Sequence, residues 1–385
     1  EQYYDPFGPL AEMNWAVTVT VPILRFGTDY ATANQRSAEQ NLAAAHYNSA
    51  FAITQEIYNT AESYWSSLAF RLNIDTLNQV MEQARQTADV LADRAKAGEM
   101  SQADYQRALA ELRLREADVQ DGLDSYYASR QQLSAQLGGG RGGRLVVATG
   151  DFPEPPGEEV VAKLSLDALQ TLAKDRRLDR KALERSTEGA RIALDHSETD
   201  LAPTLDLQLT GQYSAARTPY DSSQVLSLYE PGHRIGAGAG AILNFRMPIG
   251  NYAAEGVVAT NRAVLTQSER QIDDLDNQIT ANVAIALKKL RDNVRNYERA
   301  AEARSMLEQV TADTLRKLTV GEATITDVLS VESRLLDARL RVIQVEQNYA
   351  DAIVELRFAT GTLADGADEN LTFDALALRT FPDAR

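Results

Sequence analysis

The 385-residue chain has no cysteine, which excludes disulfides, thiolate metal sites and a cysteine nucleophile. That is compatible with an oxidising compartment without marking one. Histidine occurs three times, at His46, His196 and His233, far apart and without metal-ligand spacing. They read as ordinary helix or loop residues, and no metal or cofactor is expected. Positive charge is short: 39 Lys and Arg against 55 Asp and Glu leave a net charge of −16. That balance argues against nucleic acid, whose phosphates need a basic face. No run approaches the ~20 apolar residues of a membrane-spanning helix. No signal peptide is visible, and the chain opens on Glu1 rather than Met, so a processed or partial start is expected. Without cysteine, with isolated histidines and no phosphate-binding loop, no catalytic constellation can be nominated, and the chain is not read as an enzyme. The Gly-rich stretch at 138–143 lacks the Lys-Ser/Thr ending of a P-loop.

What is present is a long-range repeat. Ala97-Gly98-Glu99-Met100-Ser101, followed by Asp104, returns as Val320-Gly321-Glu322-Ala323-Thr324, followed by Asp327. Laying Gly98 on Gly321 also brings Leu112 onto Leu335, Val119 onto Val342, Tyr126 onto Tyr349, Leu133 onto Leu356 and Gly138 onto Gly361. The chain is therefore two similar halves, each turning at a glycine.

Residues 1–14 read as loop. From Trp15 the sequence alternates, with Val17, Val19 and Val21 on one face and Thr18 and Thr20 on the other, giving a strand over 15–22 that Pro22 ends. Thr28–Lys96 then contains neither Pro nor Gly, so one helix is expected over 28–96, a rod of roughly 100 Å. A second follows over 101–137, with Ser101 as N-cap and Asp104 at the third helical position. Together these make a first repeat, 1–138. The Gly- and Pro-rich 139–163 reads as a linker, with Leu145-Val146-Val147 as a candidate short strand. The second repeat, 164–361, is expected to hold a helix over 164–201, strands over 203–215 and 234–247, and helices over 253–317 and 326–360. A polar tail, 362–385, should be ordered only by docking on something.

Strands that are apolar on one face and small or polar on the other fit a transmembrane β-barrel, with lipid outside and a wet lumen inside. A soluble sheet with one buried face alternates identically. The long helices favour the barrel, since strands passing through a proline into ~100 Å rods make little sense in a soluble sandwich. The rods are polar overall, and Val328, Leu329, Leu335, Leu336, Leu340 and Ile343 form a packing seam of coiled-coil kind. Asp104 and Asp327 are, on their positions, helix-start acids favoured by the macrodipole.

The strand-to-helix joint Val19-Thr20-Val21-Pro22-Ile23-Leu24 and its second copy Asn244-Phe245-Arg246-Met247-Pro248-Ile249 resemble the outer-membrane efflux protein family of TolC-like trimeric channel-tunnels. Ala202-Pro203-Thr204-Leu205 and the tip from Val320 to Leu329 carry the same resemblance, which extends over residues 15–361. It implies a mostly α fold with transmembrane β: duplicated long helical hairpins form a periplasmic α-barrel, and strands join a shared 12-stranded outer-membrane barrel. It further implies a homotrimer in outer-membrane lipid that extends into the periplasm and meets a periplasmic adaptor (membrane-fusion) protein and an inner-membrane transporter. The function implied is the passive exit duct of a tripartite efflux pump or type I secretion system. The alternative is a soluble coiled-coil structural or periplasmic adaptor protein.

By resemblance, the adaptor would dock on the tips, Ala97, Gly98, Glu99, Met100 and Ser101 with Val320, Gly321, Glu322, Ala323 and Thr324. A negative constriction would form at Asp327. The family often has a second aspartate one turn on, where this chain has Ser330, so Glu332 or Asp104 would have to supplement the charge. The family's latching Tyr and Arg correspond to Leu318 and Ala323. Three strands rather than four are found; carrying Pro203 back by the spacing of Pro22 and Pro248 lands before Glu1, so a further helix and strand are expected upstream.

Overall fold

The computed structural model describes residues 11–25, 28–98, 101–139, 146–217, 235–366 and 371–382. Three strands, β1 (Ala11–Pro22), β2 (Thr204–Arg217) and β3 (Ile235–Arg246), form one antiparallel sheet in the order β1-β2-β3. The helices are α1 (Thr28–Ala31), α2 (Ala33–Lys96), α3 (Gln102–Gln136), α4 (Glu158–Ala162), α5 (Leu166–Arg176), α6 (Leu178–Thr199), α7 (Tyr252–Thr319) and α8 (Ile325–Ala359). The first strand begins earlier than the alternation predicts, taking in part of the expected loop. The polar loop read between the second and third strands lies outside the described residues.

By its internal contacts the chain divides into two compact units, one of residues 1–43 and 184–270, the other of 44–183 and 271–385. Each unit draws on both halves of the repeat. In the first, register places Val17 opposite Gly211, Val19 opposite Leu209 and Val21 opposite Leu207, and Leu207 opposite Leu243. One face is thus apolar from Leu205 and Phe245 to Tyr213 and Trp15. The other carries Thr18, Thr20, Gln208, Thr210 and Gln212 against Gly238 and Gly240. The joints beside the sheet are tied by Arg25. Its guanidinium donates to Asp200 Oδ1 at 2.6 Å and to the Ala202 carbonyl at 2.7 Å, and the Tyr30 hydroxyl donates to the same Oδ1 at 2.7 Å.

In the second unit α8 is buried on two sides. Tyr349, Ile353 and Leu356 join Leu169 of α5 and Ile279, Val283 and Leu290 of α7 in one cluster. Ala350 and Val354 join Trp65 and Leu68 of α2 and Leu133 of α3 in another. Apolar residues on two helical faces explain why α8 carries so many buried side chains.

The helix expected over 164–201 is broken. α5 stops at Arg177, whose ψ of 126° is extended, and α6 restarts behind it. The Arg177 guanidinium is bidentate on Asp179 at 2.9 and 2.6 Å, and Asp179 also accepts from the Arg180 amide. Gly361 lies against this corner; a Cβ there would stand 3.0 Å from the Arg177 nitrogen, so the turn after α8 needs a glycine. No Pro or Gly stands at the break itself.

The expected linker is seated rather than free, and Val146–Thr149 form no strand; Leu145 lies outside the described residues. Ala148 and Phe152 are buried beside Trp65, with ring centroids of Phe152 and Trp65 5.8 Å apart. Arg71 donates to the Gly150 carbonyl at 2.9 Å. The described residues of the tail lie against the same region: Arg357 donates to the Thr380 and Phe381 carbonyls, and Arg379 donates to the Asp151 carbonyl at 3.2 Å.

Candidate functional site: the two tips and the exposed sheet face

The first tip begins where α2 ends. Gly98 takes φ +76°, the left-handed conformation that closes a helix, and α3 restarts at Ser101, whose side chain accepts from the Asp104 amide at 3.2 Å. The Asp104 carboxylate pairs with Arg107 at 3.1 Å. Glu99 and Met100 lie outside the described residues. At the second tip Gly321 takes φ +80°. The Gly321 and Glu322 amides satisfy the last carbonyls of α7, at Leu318 (3.2 Å) and Lys317 (2.9 Å). Thr324 and Asp327 then cap each other. Thr324 Oγ1 accepts from the Asp327 amide at 3.2 Å, while Asp327 Oδ2 accepts from the Thr324 amide at 2.9 Å and from its hydroxyl at 2.7 Å.

These bonds to Thr324 hold the Asp327 carboxyl below its ordinary range, so the side chain stays charged through neutral and mildly acid pH. It is fully exposed and, among the described residues, makes no ion pair, because the next turn holds Ser330, also exposed. The repeat sets Arg107 at the position of Ser330, so the first tip neutralises its acid and the second leaves its acid bare.

The tips pack on each other. Ile325 and Val328 of α8 are buried among Ala88 and Leu91 of α2 and Ala108 and Leu112 of α3, with Leu318 against them. Arg107 Nη1 donates to Thr326 Oγ1 at 3.4 Å. The structure therefore brings both tips together, but it does not gather the four expected acid-ring residues. Glu332 lies on another side of α8, in a groove of about 520 Å³ that α2, α3, α7 and α8 line. There burial and the nearby Glu111 raise its carboxyl, and Arg115 opposes the shift. Asp104 is taken by Arg107. Leu318, at the place of the family's tyrosine, serves the apolar cluster instead. Ala97, Ser101, Val320 and Glu322 are exposed around the turns, with Ala323 half-buried.

The sheet offers the second feature. Its apolar face is open to solvent, with Val17 67% and Phe245 61% exposed, and Met247, Ile249 and Tyr252 continue the exposed apolar surface past β3. From Leu205 to Tyr213 the band runs about 26 Å along the strand, in the range of the ~25 Å lipid-facing band of a transmembrane barrel. Both β1 and β3 are edges of the described sheet. No helix of the described residues is long and apolar enough to cross a membrane, and no cluster there could hold a metal ion. His46 and His196 sit on α2 and α6; His233 lies outside the described residues.

An open strand face joined to long paired helices defines a class: the chain has the fold of the TolC-like outer-membrane channels. Among solved structures, the Campylobacter jejuni CmeC outer membrane channel superposes with a TM-score of 0.71 at 14% identity, over 94% of this chain and 79% of that one. The open state of the Neisseria gonorrhoeae MtrE outer membrane channel gives 0.69 at 14% identity, over 92% and 80%. In sequence, protein CyaE of Bordetella pertussis is 24% identical over 355 residues, 91% of this chain and 71% of that protein. No protein-family model matches the chain.

Proposed function

We propose that the chain is a subunit of an outer-membrane exit duct, a passive conduit rather than an enzyme, that works as a homotrimer in a tripartite efflux pump or type I secretion system. The observation that carries this reading is the uncovered apolar sheet face, leading through proline joints into helices of 64 and 68 residues. A soluble sheet would bury that face, whereas lipid would cover it in a closed 12-stranded barrel shared by three copies. The helices would extend into the periplasm. There the tips, Ala97–Ser101 and Val320–Thr324, would meet an adaptor protein, and an inner-membrane transporter would supply the energy.

Within this reading Asp327 is the constriction acid. It is charged, exposed and, among the described residues, free of a cation, so three copies around an axis would attract cations and repel anions. Ser330 lies beside it, while Glu332 and Asp104 are held elsewhere and add little to the ring.

The test is planar-bilayer recording of the full-length protein purified in detergent as heat-resistant trimers. Discrete channels with cation preference are expected, and Asp327→Asn should weaken that preference. Protein that is monomeric and soluble without detergent, and makes no channels, would remove the duct reading. Channels whose selectivity ignores Asp327→Asn would remove only the gate assignment.

A further inference from the structure

Among the described residues, four of the cavities that border α8 are each met by one of its carboxylates: Glu332, Glu346, Asp351 and Glu355. Three have a cation to answer them. Glu332 has Arg115, Glu346 has Arg304, and Glu355 holds Lys289 at 2.7 and 2.9 Å. Asp351 has none. It sits over a polar cavity of about 360 Å³ between α2, α3 and α8, and no Lys or Arg lines it. Asp351 Oδ1 is sealed from water without a hydrogen-bond partner, and Oδ2 receives only a long bond from Gln347 at 3.4 Å.

The groups facing it are uncharged or of like sign. From α2 comes Glu62, whose Oε1 accepts from the Tyr58 hydroxyl, with the uncharged Asn59, Ser63 and Ser66. From α3 come Ser129, Gln132 and Gln136, none of which titrates. On α8 itself Glu355 is one turn away, occupied by Lys289 of α7. Beside Asp351, Ala350 is buried in the cluster that seats α8 on Trp65 and Leu68. An ionised pair, Asp351 with Glu62, would thus stand in the seam that holds these helices together.

We propose that Asp351 makes the seating of α8 on α2 and α3 a pH-dependent contact, firm while its carboxyl is protonated and loosened when it ionises across from Glu62. Burial first, and then Glu62, push this carboxyl up from 3.8 to about 7. The sign follows from linkage. A group whose value is raised in the packed state contributes stability that is full below its ordinary value. That stability is lost as pH climbs to the raised one, here from about 4 to about 7. Mild acid therefore tightens the helical body and neutral pH relaxes it. This inference goes beyond the duct reading and does not depend on it.

The test is amide hydrogen exchange on the full-length protein at pH 4.5, 5.5, 6.5 and 7.5, comparing wild type with Asp351→Asn. Taking the ratio of the two at each pH cancels the intrinsic dependence of exchange. In peptides over 347–354 that ratio should rise with pH, by up to about tenfold per unit, and level off above pH 7. Glu62→Gln, which keeps Asp351, should make the rise end at a lower pH. A ratio that does not change with pH would overturn the proposal. So would a wild-type rise that Glu62→Gln leaves unmoved, which decides the matter even if Asp351→Asn does not fold.

Discussion

At the first tip Ser101 caps α3 with one bond, and the Asp104 carboxylate turns to Arg107. At the second tip the same spacing closes a reciprocal box in which Asp327 serves Thr324 and, among the described residues, meets no cation. Burial differs too. Ile325 enters the shared apolar cluster at 3% exposure, while Gln102, at the same place in the first copy, stays in solvent. A duplicated motif has thus been divided into a support, with its acid neutralised, and an anchored end that presents a bare charge. The lesson is that the neighbour one turn on, Arg107 or Ser330, decides what an identical helix-start aspartate is free to do.

The contrast can be broken most forcefully at Ile325. Ile325→Ala should cost about 2–5 kcal/mol of local stability, as large-to-small core changes do, while Gln102→Ala should stay within about 0.5 kcal/mol. Exchange protection over 318–336 and 88–112 reads both, and equal losses would erase the distinction between the tips. Next come the caps: Thr324→Ala should cost about 1–2 kcal/mol and Ser101→Ala about 0.5–1, because only the first removes a reciprocal box. First-turn amide protection of α8 and α3 checks the order, and a larger loss at Ser101 would reverse it. The smallest effect is expected from Arg107→Ala, below about 0.5 kcal/mol, since exposed ion pairs contribute little. Its informative consequence is electrical: it unmasks Asp104, so bilayer recording should show a second contribution to cation preference.

The sequence made the strands, the glycine turns and the long helices legible because each is written locally, in period-two alternation, in punctuation, or in uninterrupted helix formers. The break at Arg177 was not legible, because no local residue forbids a helix there; the corner lies against Gly361, far along the chain. Nor was the seating of Phe152 on Trp65, which belongs to an aperiodic stretch whose Pro and Gly advertise only a loop. At the tips the residue types were visible and their uses were not. Asp104 and Asp327 look alike until Arg107 and Thr324 are seen to claim them, and the Glu332 side chain points away from both. Nor is the place of Asp351 legible, since an acid in a heptad-like run reads as solvated until the helices around it are placed.

The docked tail bears on the order in which the protein can be made. Trp65, Phe152 and Leu363 share a cluster that Leu378 helps to cover, and Arg379 fastens the Asp151 carbonyl from across the chain. A polypeptide that emerges N-terminus first will have built α2, α3 and the connector long before residues 363–379 arrive. Until then an aromatic seam stands open to a chaperone or to another nascent copy. The lid is thus a clock: this cluster can be sealed only after residues 363–379 have been made.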